Sequence, residues 1–185
     1  MQYLNSVAPD SAHRRQFLQL ALLGMASAML PGCKKGFAPD EEFPALNLPY
    51  LDGTPLPYSA TPGIPQVINF WATWCEPCRV EMPSLEKLST LFRPEDLTVV
   101  GITVDSDVNL AREFSLVSKL TFPMLSDHVQ TLSNGILRIP VFPSTYLLRR
   151  DRTIAQVVHG ARDWADPKQV GEIERLLGVK RNAVT

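Results

Sequence analysis

Apolar and polar positions along the middle of the chain alternate between the spacing of strands and the spacing of helices. Gln66–Trp71 is rich in β-branched and aromatic residues and follows a Pro-Gly turn signal, so it predicts a buried central strand. In Glu76–Phe92 the apolar residues recur at helical spacing between charges, which predicts an amphipathic helix that Pro83 should kink. Leu97–Val104 and Val108–Leu120 repeat this pair as a second buried strand and a second amphipathic helix.

The remaining pattern predicts shorter elements. Phe122–Leu125 predicts a short strand, and Asp127–Asn134 predicts a brief helix closed by Gly135. A strand pair and a terminal helix follow: Ser144–Leu148, Thr153–Val158 and Asp166–Leu177, the last with Pro167 in its first turn and Gly178 after its end. Strands that alternate with helices and finish in a hairpin plus helix predict an α/β fold with a mixed central sheet flanked by helices.

Two segments upstream of the first strand have patterns of their own. Ala45–Tyr50 and Thr54–Tyr58 flank the pair Asp52-Gly53, and Asp-Gly is a strong signal for a β-hairpin turn. Lys34–Phe43 is polar and has no periodicity, which predicts a tether. We therefore expect one domain over residues 44–180, with an added N-terminal β-hairpin.

The first 33 residues have the order of parts of an export signal. A polar stretch carries the pair Arg14-Arg15 and resembles the twin-arginine signal. Phe17–Leu30 is mostly apolar but shorter than the roughly 20 residues that span a bilayer. Leu30-Pro31-Gly32-Cys33 resembles a bacterial lipobox, which implies that Cys33 is acylated and begins the mature protein. The alternatives are simple cleavage with secretion, or a buried helix followed by a core cysteine.

Composition narrows the possible functions. Hydrophobic residues make up 45% of the chain, enough for a packed core, and the net charge is −1. So small a charge gives no electrostatic case for nucleic-acid binding. Only 3 cysteines occur, so no disulfide framework is expected.

Two of the cysteines lie where a redox pair would function. Cys75-Glu76-Pro77-Cys78 follows the predicted central strand and opens the predicted helix. Unpaired backbone N–H groups and the helix dipole at that end favour an anion, so Cys75 should have a larger thiolate fraction than a free cysteine. One helical turn brings Cys78 back beneath Cys75, which makes a disulfide between them easy to form and to open. Pro77 suits a first turn because its missing N–H would have no helical partner there.

Other meanings of Cys-x-x-Cys fit less well. A structural zinc site needs four ligands, and the histidines His13, His128 and His159 are scattered along the chain. A c-type haem site needs His directly after the second cysteine, where Arg79 stands. A purely structural disulfide would not need a strand-to-helix junction. We therefore predict a redox dithiol with neither a metal nor a cofactor.

At this point the sequence resembles the TlpA/ResA/CcmG group of bacterial extracytoplasmic thioredoxin-like proteins. The resemblance covers about residues 43–178, and the Cys-Glu-Pro-Cys choice is closest to ResA. Four segments carry the resemblance: Val67–Pro83, Gly101–Asp105, Phe122–Asp127 and Ile139–Tyr146. It implies a thioredoxin-like fold.

The resemblance also implies roles for the residues of the pair and of the substrate-facing surface. Cys75 would be the attacking thiol and Cys78 the resolving thiol. Pro143 would be a cis-proline that faces the disulfide, with Phe142 offering its backbone to an extended substrate; otherwise Pro143 is a trans proline that opens an edge strand. Trp74, directly before Cys75, is expected to shield the disulfide and to form part of the docking surface, to which Glu76 and Pro77 also belong.

Acidic residues suggest the direction of electron flow and the route of the proton. Glu76, between the cysteines, opposes thiolate formation and so keeps the dithiol from being unusually stable, which favours a reductant. Asn69 occupies the place where cytoplasmic thioredoxins carry a buried Asp. Glu81, three residues after Cys78, is the candidate to accept the Cys78 proton, as the resemblance to ResA also implies. The alternative is that Glu81 is an ordinary solvated carboxylate.

The predicted function is therefore that of an extracytoplasmic thiol:disulfide oxidoreductase that acts as a reductant. By resemblance, its partners would be a membrane thiol reductant and a disulfide-bearing protein substrate. The substrate that the resemblance implies is apocytochrome c, at its Cys-x-x-Cys-His haem site. A general reductase or isomerase is the alternative within enzymes. A thioredoxin-fold metallochaperone is disfavoured because copper carriers of this fold use Cys-x-x-x-Cys with a well-placed His. A peroxidase is disfavoured because Ala72 stands where peroxidatic relatives have Thr.

Overall fold

The structure is a computed structural model that describes residues 37–55 and 63–182. The predictions for the export signal, for Cys33 and for the start of the tether lie outside these residues, as does the C-terminal part of Thr54–Tyr58.

Within residues 37–55 and 63–182, five strands form one mixed sheet in the order β3-β2-β1-β4-β5. β1 (Gln66–Trp71) is central; it pairs in parallel with β2 (Thr98–Thr103) and antiparallel with β4 (Ser144–Leu148). β3 (Met124–Ser126) continues the sheet in parallel beside β2, and β5 (Ile154–His159) pairs antiparallel with β4. The predicted mixed α/β sheet is confirmed.

Among the described residues, three α-helices flank this sheet: α1 (Glu76–Leu91), α2 (Val108–Val117) and α3 (Pro167–Leu177). α1 continues through Pro83 and buries an apolar stripe that includes Met82, Leu85 and Leu88. Burial of each such side chain is worth roughly 1.5–3 kcal/mol, so the stripe fixes which face of α1 meets the sheet.

The ends of α3 form as their sequence signals predict. The Asp166 carboxylate accepts a hydrogen bond from the Lys168 backbone N–H at 2.9 Å, and Pro167 begins the helix. Gly178 ends the helix in the left-handed conformation, at φ 64°. A residue without a Cβ adopts that conformation at little cost.

The predicted helix Asp127–Asn134 is wrong in its position and kind. A short π-helix covers Thr131–Ile136 instead, so Gly135 lies inside it. The buried Asp127 carboxylate accepts from the backbone N–H groups of Leu132 and Ser133, at 3.3 and 2.8 Å. Asp127 therefore caps a π-helix that begins at Thr131, whereas the sequence pattern predicts a helix that begins at Asp127.

The N-terminal hairpin is formed only in part. Its turn is present, because the Gly53 N–H donates to the Tyr50 carbonyl at 2.9 Å and Gly53 has φ 87°. In the described residues, however, the two arms share a single isolated bridge, between Pro49 and Pro55. Tyr50 also pairs with Leu125, so this segment extends the sheet at the edge of β3.

The last residues of the predicted tether lie against β5. The Asp40 N–H donates to the Ile154 carbonyl at 2.8 Å, and Phe43 is fully buried beside Tyr146, with ring centroids 5.2 Å apart. Arg152 donates from Nη2 to the Phe43 carbonyl at 2.8 Å. The basic turn after β4 (residues 149–152) thus anchors the N-terminal segment.

Candidate active site

The end of β1 and the start of α1 place the two cysteines. Cys75 is the N-cap of α1, and its Sγ accepts a hydrogen bond from the Cys78 backbone N–H at 3.3 Å. The two sulfurs form a disulfide with an S–S distance of 2.01 Å. The predicted position of the pair at a strand-to-helix junction is confirmed.

The two cysteine residues differ slightly in their access to solvent. Cys78 is fully buried, whereas Cys75 keeps 6% of its surface exposed. Trp74, next to Cys75, is 65% exposed, and Glu76 and Pro77 are exposed as well. A partner that approaches this edge of the sheet therefore meets Cys75 before Cys78.

The Phe142–Pro143 peptide bond is cis, as the resemblance implies, so the alternative of a trans proline is wrong. The rings of Phe142 and Trp74 meet edge to face, with centroids 6.0 Å apart, which brings this loop beside the cysteine loop. Ser144 Oγ donates to the Val141 carbonyl at 2.6 Å and lies 2.8 Å from His159 Nδ1. These bonds fix the loop that carries Phe142.

Glu81 is buried, with 2% of its surface exposed, so it is not a solvated helix carboxylate. Three N–H groups donate to it: Asn69 Nδ2 to Oε1 at 2.7 Å, and Trp164 Nε1 and the Arg162 backbone N to Oε2 at 3.0 and 3.1 Å. Burial raises the pKa of the Glu81 carboxyl above its usual value, although these hydrogen bonds act in the opposite direction. A buried carboxyl of this kind is suited to receive a proton.

Asn69 connects Glu81 to the sheet. Its side chain is fully buried, and Nδ2 also donates to Thr145 Oγ1 on the neighbouring strand at 2.9 Å. In the part of the chain that the structure describes, Oδ1 of Asn69 has no hydrogen-bond partner. An unpaired buried acceptor costs about 1–3 kcal/mol. The unpaired Oδ1 of Asn69 therefore lowers the free energy of unfolding.

A second buried carboxylate, which sequence reasoning did not single out, fixes the loop before Cys75. Asp105 accepts from the Thr73 backbone N at 3.0 Å, from Thr73 Oγ1 at 2.9 Å and from Thr103 Oγ1 at 2.7 Å. Parallel strands end at the same edge of a sheet. Because β1 and β2 are parallel, this rule places Asp105, just after β2, near the loop that follows β1. The rule could therefore have identified Asp105 from the sequence.

Trp164 is the other residue that the sequence analysis missed. It follows β5 in the polar segment Ala161–Asp166, and only 1% of its surface is exposed. A single large aromatic residue just before a helix start is a weak signal for a buried anchor. Nothing in the local pattern indicates that its indole reaches Glu81.

The described residues place no group of three or more His, Cys, Asp and Glu side chains where it could hold a metal ion. His128 and His159 are both exposed and lie in different parts of the fold. Over the same residues, no helix is both long enough and apolar enough to cross a membrane.

Comparison with known proteins agrees with this geometry. The sequence matches the AhpC/TSA family over residues 39–157. It is 30% identical to the thiol-disulfide oxidoreductase ResA of Oceanobacillus iheyensis over 95 residues, 51% of this chain and 49% of ResA. It is 32% identical to the thioredoxin-like protein YneN of Bacillus subtilis over 127 residues, 67% of this chain and 72% of YneN. A secreted Mycobacterium tuberculosis disulfide oxidoreductase, homologous to E. coli DsbE, superimposes with a TM-score of 0.59 at 25% identity, covering 69% of this chain and 95% of that one.

The chain therefore belongs to the AhpC/TSA family, in its thioredoxin-like part. Within that family it is a homologue of thiol-disulfide oxidoreductases of the ResA type, with Cys75 and Cys78 as its cysteine pair. The predicted family and fold class are thereby confirmed, and the predicted enzyme class is that of these ResA homologues. The chain spans about half the length of the ResA proteins that it matches.

Proposed function

We propose that this chain reduces disulfides of protein substrates outside the cytoplasm, with Cys75 as the attacking thiol and Cys78 as the resolving thiol. The observation that carries this proposal is the asymmetry of the pair. Cys75 is the helix cap and keeps 6% of its surface exposed, whereas Cys78 lies fully buried one turn along the helix.

The reaction consists of two exchange steps. The Cys75 thiolate attacks one sulfur of the substrate disulfide; that S–S bond breaks, and the departing substrate thiolate takes a proton. Cys78, after losing its proton, then attacks Sγ of Cys75 in the mixed disulfide and expels the second substrate thiolate. The substrate gains two electrons, and the Cys75–Cys78 disulfide seen in the structure is the oxidised product.

Glu81 is proposed as the acceptor of the Cys78 proton. It lies three residues after Cys78 on the buried side of α1, and side chains three apart on a helix are neighbours. The raised pKa of its carboxyl brings it closer to the working pH than a solvated glutamate would be.

The substrate surface is proposed to surround Cys75. Trp74, Glu76 and Pro77 border it on one side, and Phe142 and Pro143 border it on the other. Two exposed apolar residues extend the surface, with exposed fractions of 71% for Val80 and 47% for Val141. An extended polypeptide with apolar side chains near its cysteines fits this composition.

The location and the partners are proposed from the sequence and the relatives together. Residues 1–33 resemble an export signal with a lipobox, and the matched M. tuberculosis structure is described as secreted. We propose a lipid-anchored protein on the periplasmic face of a bacterial membrane, recharged by a membrane thiol reductant. The proposed substrate is the oxidised Cys-x-x-Cys-His site of apocytochrome c, and a general periplasmic reductase or isomerase is the alternative.

Trapping with cysteine variants tests the two roles. Cys78→Ser should accumulate a mixed disulfide through Cys75, because attack survives and release does not, and Cys75→Ser should accumulate none. The probes are an oxidised Cys-x-x-Cys-His peptide and the same peptide with Ala in place of His. Equal trapping of both would support the general reductase over the cytochrome substrate. If Cys78 of the reduced protein is alkylated faster than Cys75, the assigned roles are reversed.

A further inference from the structure

The two oxygens of the Glu81 carboxylate are bonded differently. Oε2 accepts from Trp164 Nε1 at 3.0 Å and from the Arg162 backbone N at 3.1 Å. Among the described residues, Oε1 accepts only from Asn69 Nδ2, at 2.7 Å. Since a carboxylate oxygen has about two lone-pair sites, Oε2 is fully bonded and Oε1 keeps one site free.

This difference decides where a proton can bind. A proton on Oε2 would displace either the indole N–H of Trp164 or the backbone N–H of Arg162, and neither group can accept a hydrogen bond. The displaced donor would be left unpaired in the interior, which is unfavourable. A proton on Oε1 takes the free site, and both N–H bonds to Oε2 remain.

Trp164 is held firmly where its indole meets Oε2. Its side chain is almost fully buried, and its backbone N–H donates to Ser84 Oγ at 3.0 Å. Ser84 Oγ in turn donates to the Glu81 carbonyl at 2.7 Å. The segment after β5 is thereby tied to the turn of α1 that carries Glu81.

We propose that Trp164 is a positioning residue for this proton transfer: its indole N–H occupies Oε2 of Glu81, so that the proton of Cys78 is received at Oε1, beside Asn69. The inference rests on the proposed function, in which Glu81 accepts that proton. In the step, the S–H bond of Cys78 breaks and an O–H bond forms at Oε1. The electron pair stays on the Cys78 sulfur, which then attacks Cys75.

Asn69 provides the proton on Oε1 with a hydrogen-bond partner. Its carboxamide is bonded to Oε1 of Glu81 and to the Thr145 hydroxyl through Nδ2, and its Oδ1 is unpaired in the described structure. A hydroxyl donates as readily as it accepts. If the carboxamide turns end for end, its oxygen can accept from the protonated Oε1 and from Thr145 together.

Trp164→Phe tests the proposal against a matched control, Trp71→Phe. Both tryptophans are buried, but the Trp71 indole N–H has no partner in the described structure. The measurement is the rate of mixed-disulfide release as a function of pH. The titratable groups at this site are Cys78 and Glu81, and Arg162 is the cation beside Glu81. Trp164→Phe removes a donor that favours ionised Glu81. Its profile should therefore move to higher pH, with a release rate about tenfold lower on the acid side. Trp71→Phe should keep the wild-type profile.

The wild-type protein provides a second measurement that does not depend on how a variant folds. With ¹⁵N-labelled tryptophan, the Trp164 indole signal should titrate together with the Glu81 carboxyl, and the Trp71 signal should not. Below that transition the Trp164 N–H should stay protected from hydrogen exchange, because its bond to Oε2 is kept. Loss of protection on protonation would mean that the proton goes to Oε2 and would overturn the proposal.

Glu81→Gln distinguishes a failure of the positioning role of Trp164 from a failure of the proposed role of Glu81 as proton acceptor. If Glu81→Gln releases substrate at the wild-type rate, the role of Glu81 as acceptor fails and that of Trp164 fails with it. If Glu81→Gln is slow and Trp164→Phe keeps the wild-type pH profile, only the role of Trp164 is wrong. An equal shift in Trp71→Phe would show a general effect of loosened packing and would also refute it.

Discussion

The carboxamide nitrogen of Asn69 lies 2.7 Å from Oε1 of Glu81 and joins the central strand to the first helix across the interior. In cytoplasmic thioredoxins the strand position carries the acid, whereas here the strand carries an amide and the helix carries the acid. Two carboxylates so close together could not both ionise easily. The exchange therefore leaves one buried acid, one helical turn after Cys78, with a neutral group that orients it.

Glu81→Gln should slow release of the mixed disulfide by about ten- to hundred-fold, up to the lower end of the roughly 10²- to 10⁴-fold that a general base contributes. The side chain keeps its size, so the protein should still fold. Single-turnover release from a preformed mixed disulfide measures the step directly. Wild-type release across about pH 6 to 8 would show that water suffices as the proton acceptor.

The same variant should change how stability depends on pH. Because the pKa of Glu81 is raised by folding, the folded state binds more protons than the unfolded state between the usual value, 4.5, and the raised value. Stability should therefore fall as the pH rises through that window, and Glu81→Gln should lose this component. Urea unfolding at a series of pH values measures it. A slope identical in both proteins would mean that folding does not raise the pKa of Glu81.

Asp105→Asn should destabilise the fold and lower activity. An amide offers one acceptor oxygen to the Thr73 and Thr103 donors that the carboxylate now satisfies, and an unpaired buried group costs about 1–3 kcal/mol. Thr73 would then be held less firmly two residues before Cys75. Denaturant midpoints and turnover measure the two effects. Asp107→Asn is the matched control, since Asn is as good an N-cap as Asp, and it should change neither; equal effects in both variants would refute the role of Asp105.

The redox potential of the Cys75–Cys78 couple should be reducing, closer to about −270 mV than to the −120 mV of a strong oxidant. Glu76 is exposed between the cysteines, where its charge opposes thiolate formation. Equilibration with glutathione or thioredoxin gives the value. Glu76→Gln should make the couple more oxidising, and a wild-type potential above about −180 mV would contradict the reductant proposal.

Acylation of Cys33 predicts a mature protein that begins at this residue and partitions with membranes. Cys33→Ala should abolish acylation and leave the precursor uncleaved. Metabolic labelling with a fatty acid and mass spectrometry of the N-terminus measure both outcomes. A native N-terminus beyond Cys33, found in a soluble fraction, would indicate simple secretion instead.

The strands and helices that position the site could be predicted from local pattern, because each is encoded within its own segment. β1 is buried along its whole length and reads as a continuous β-rich run. α3 begins after its N-cap, Asp166, with Pro167 in its first turn, and it ends at Gly178. The π-helix at Thr131–Ile136 was not predicted, because no hydrophobic periodicity marks where it begins. Its start depends instead on which backbone N–H groups donate to the Asp127 carboxylate.

The sequence by itself determined the redox pair. Cys75 caps a helix that follows a buried strand, and its partner lies one turn away, so the neighbouring residues specify the whole arrangement. Only the tertiary structure decided what surrounds Glu81. Helical spacing places that carboxylate one turn after Cys78 but does not say what covers it. Its partners come from Asn69, 12 residues earlier, and from Trp164, 83 residues later, and contacts so distant along the chain form only when the sheet and its last loop fold over α1.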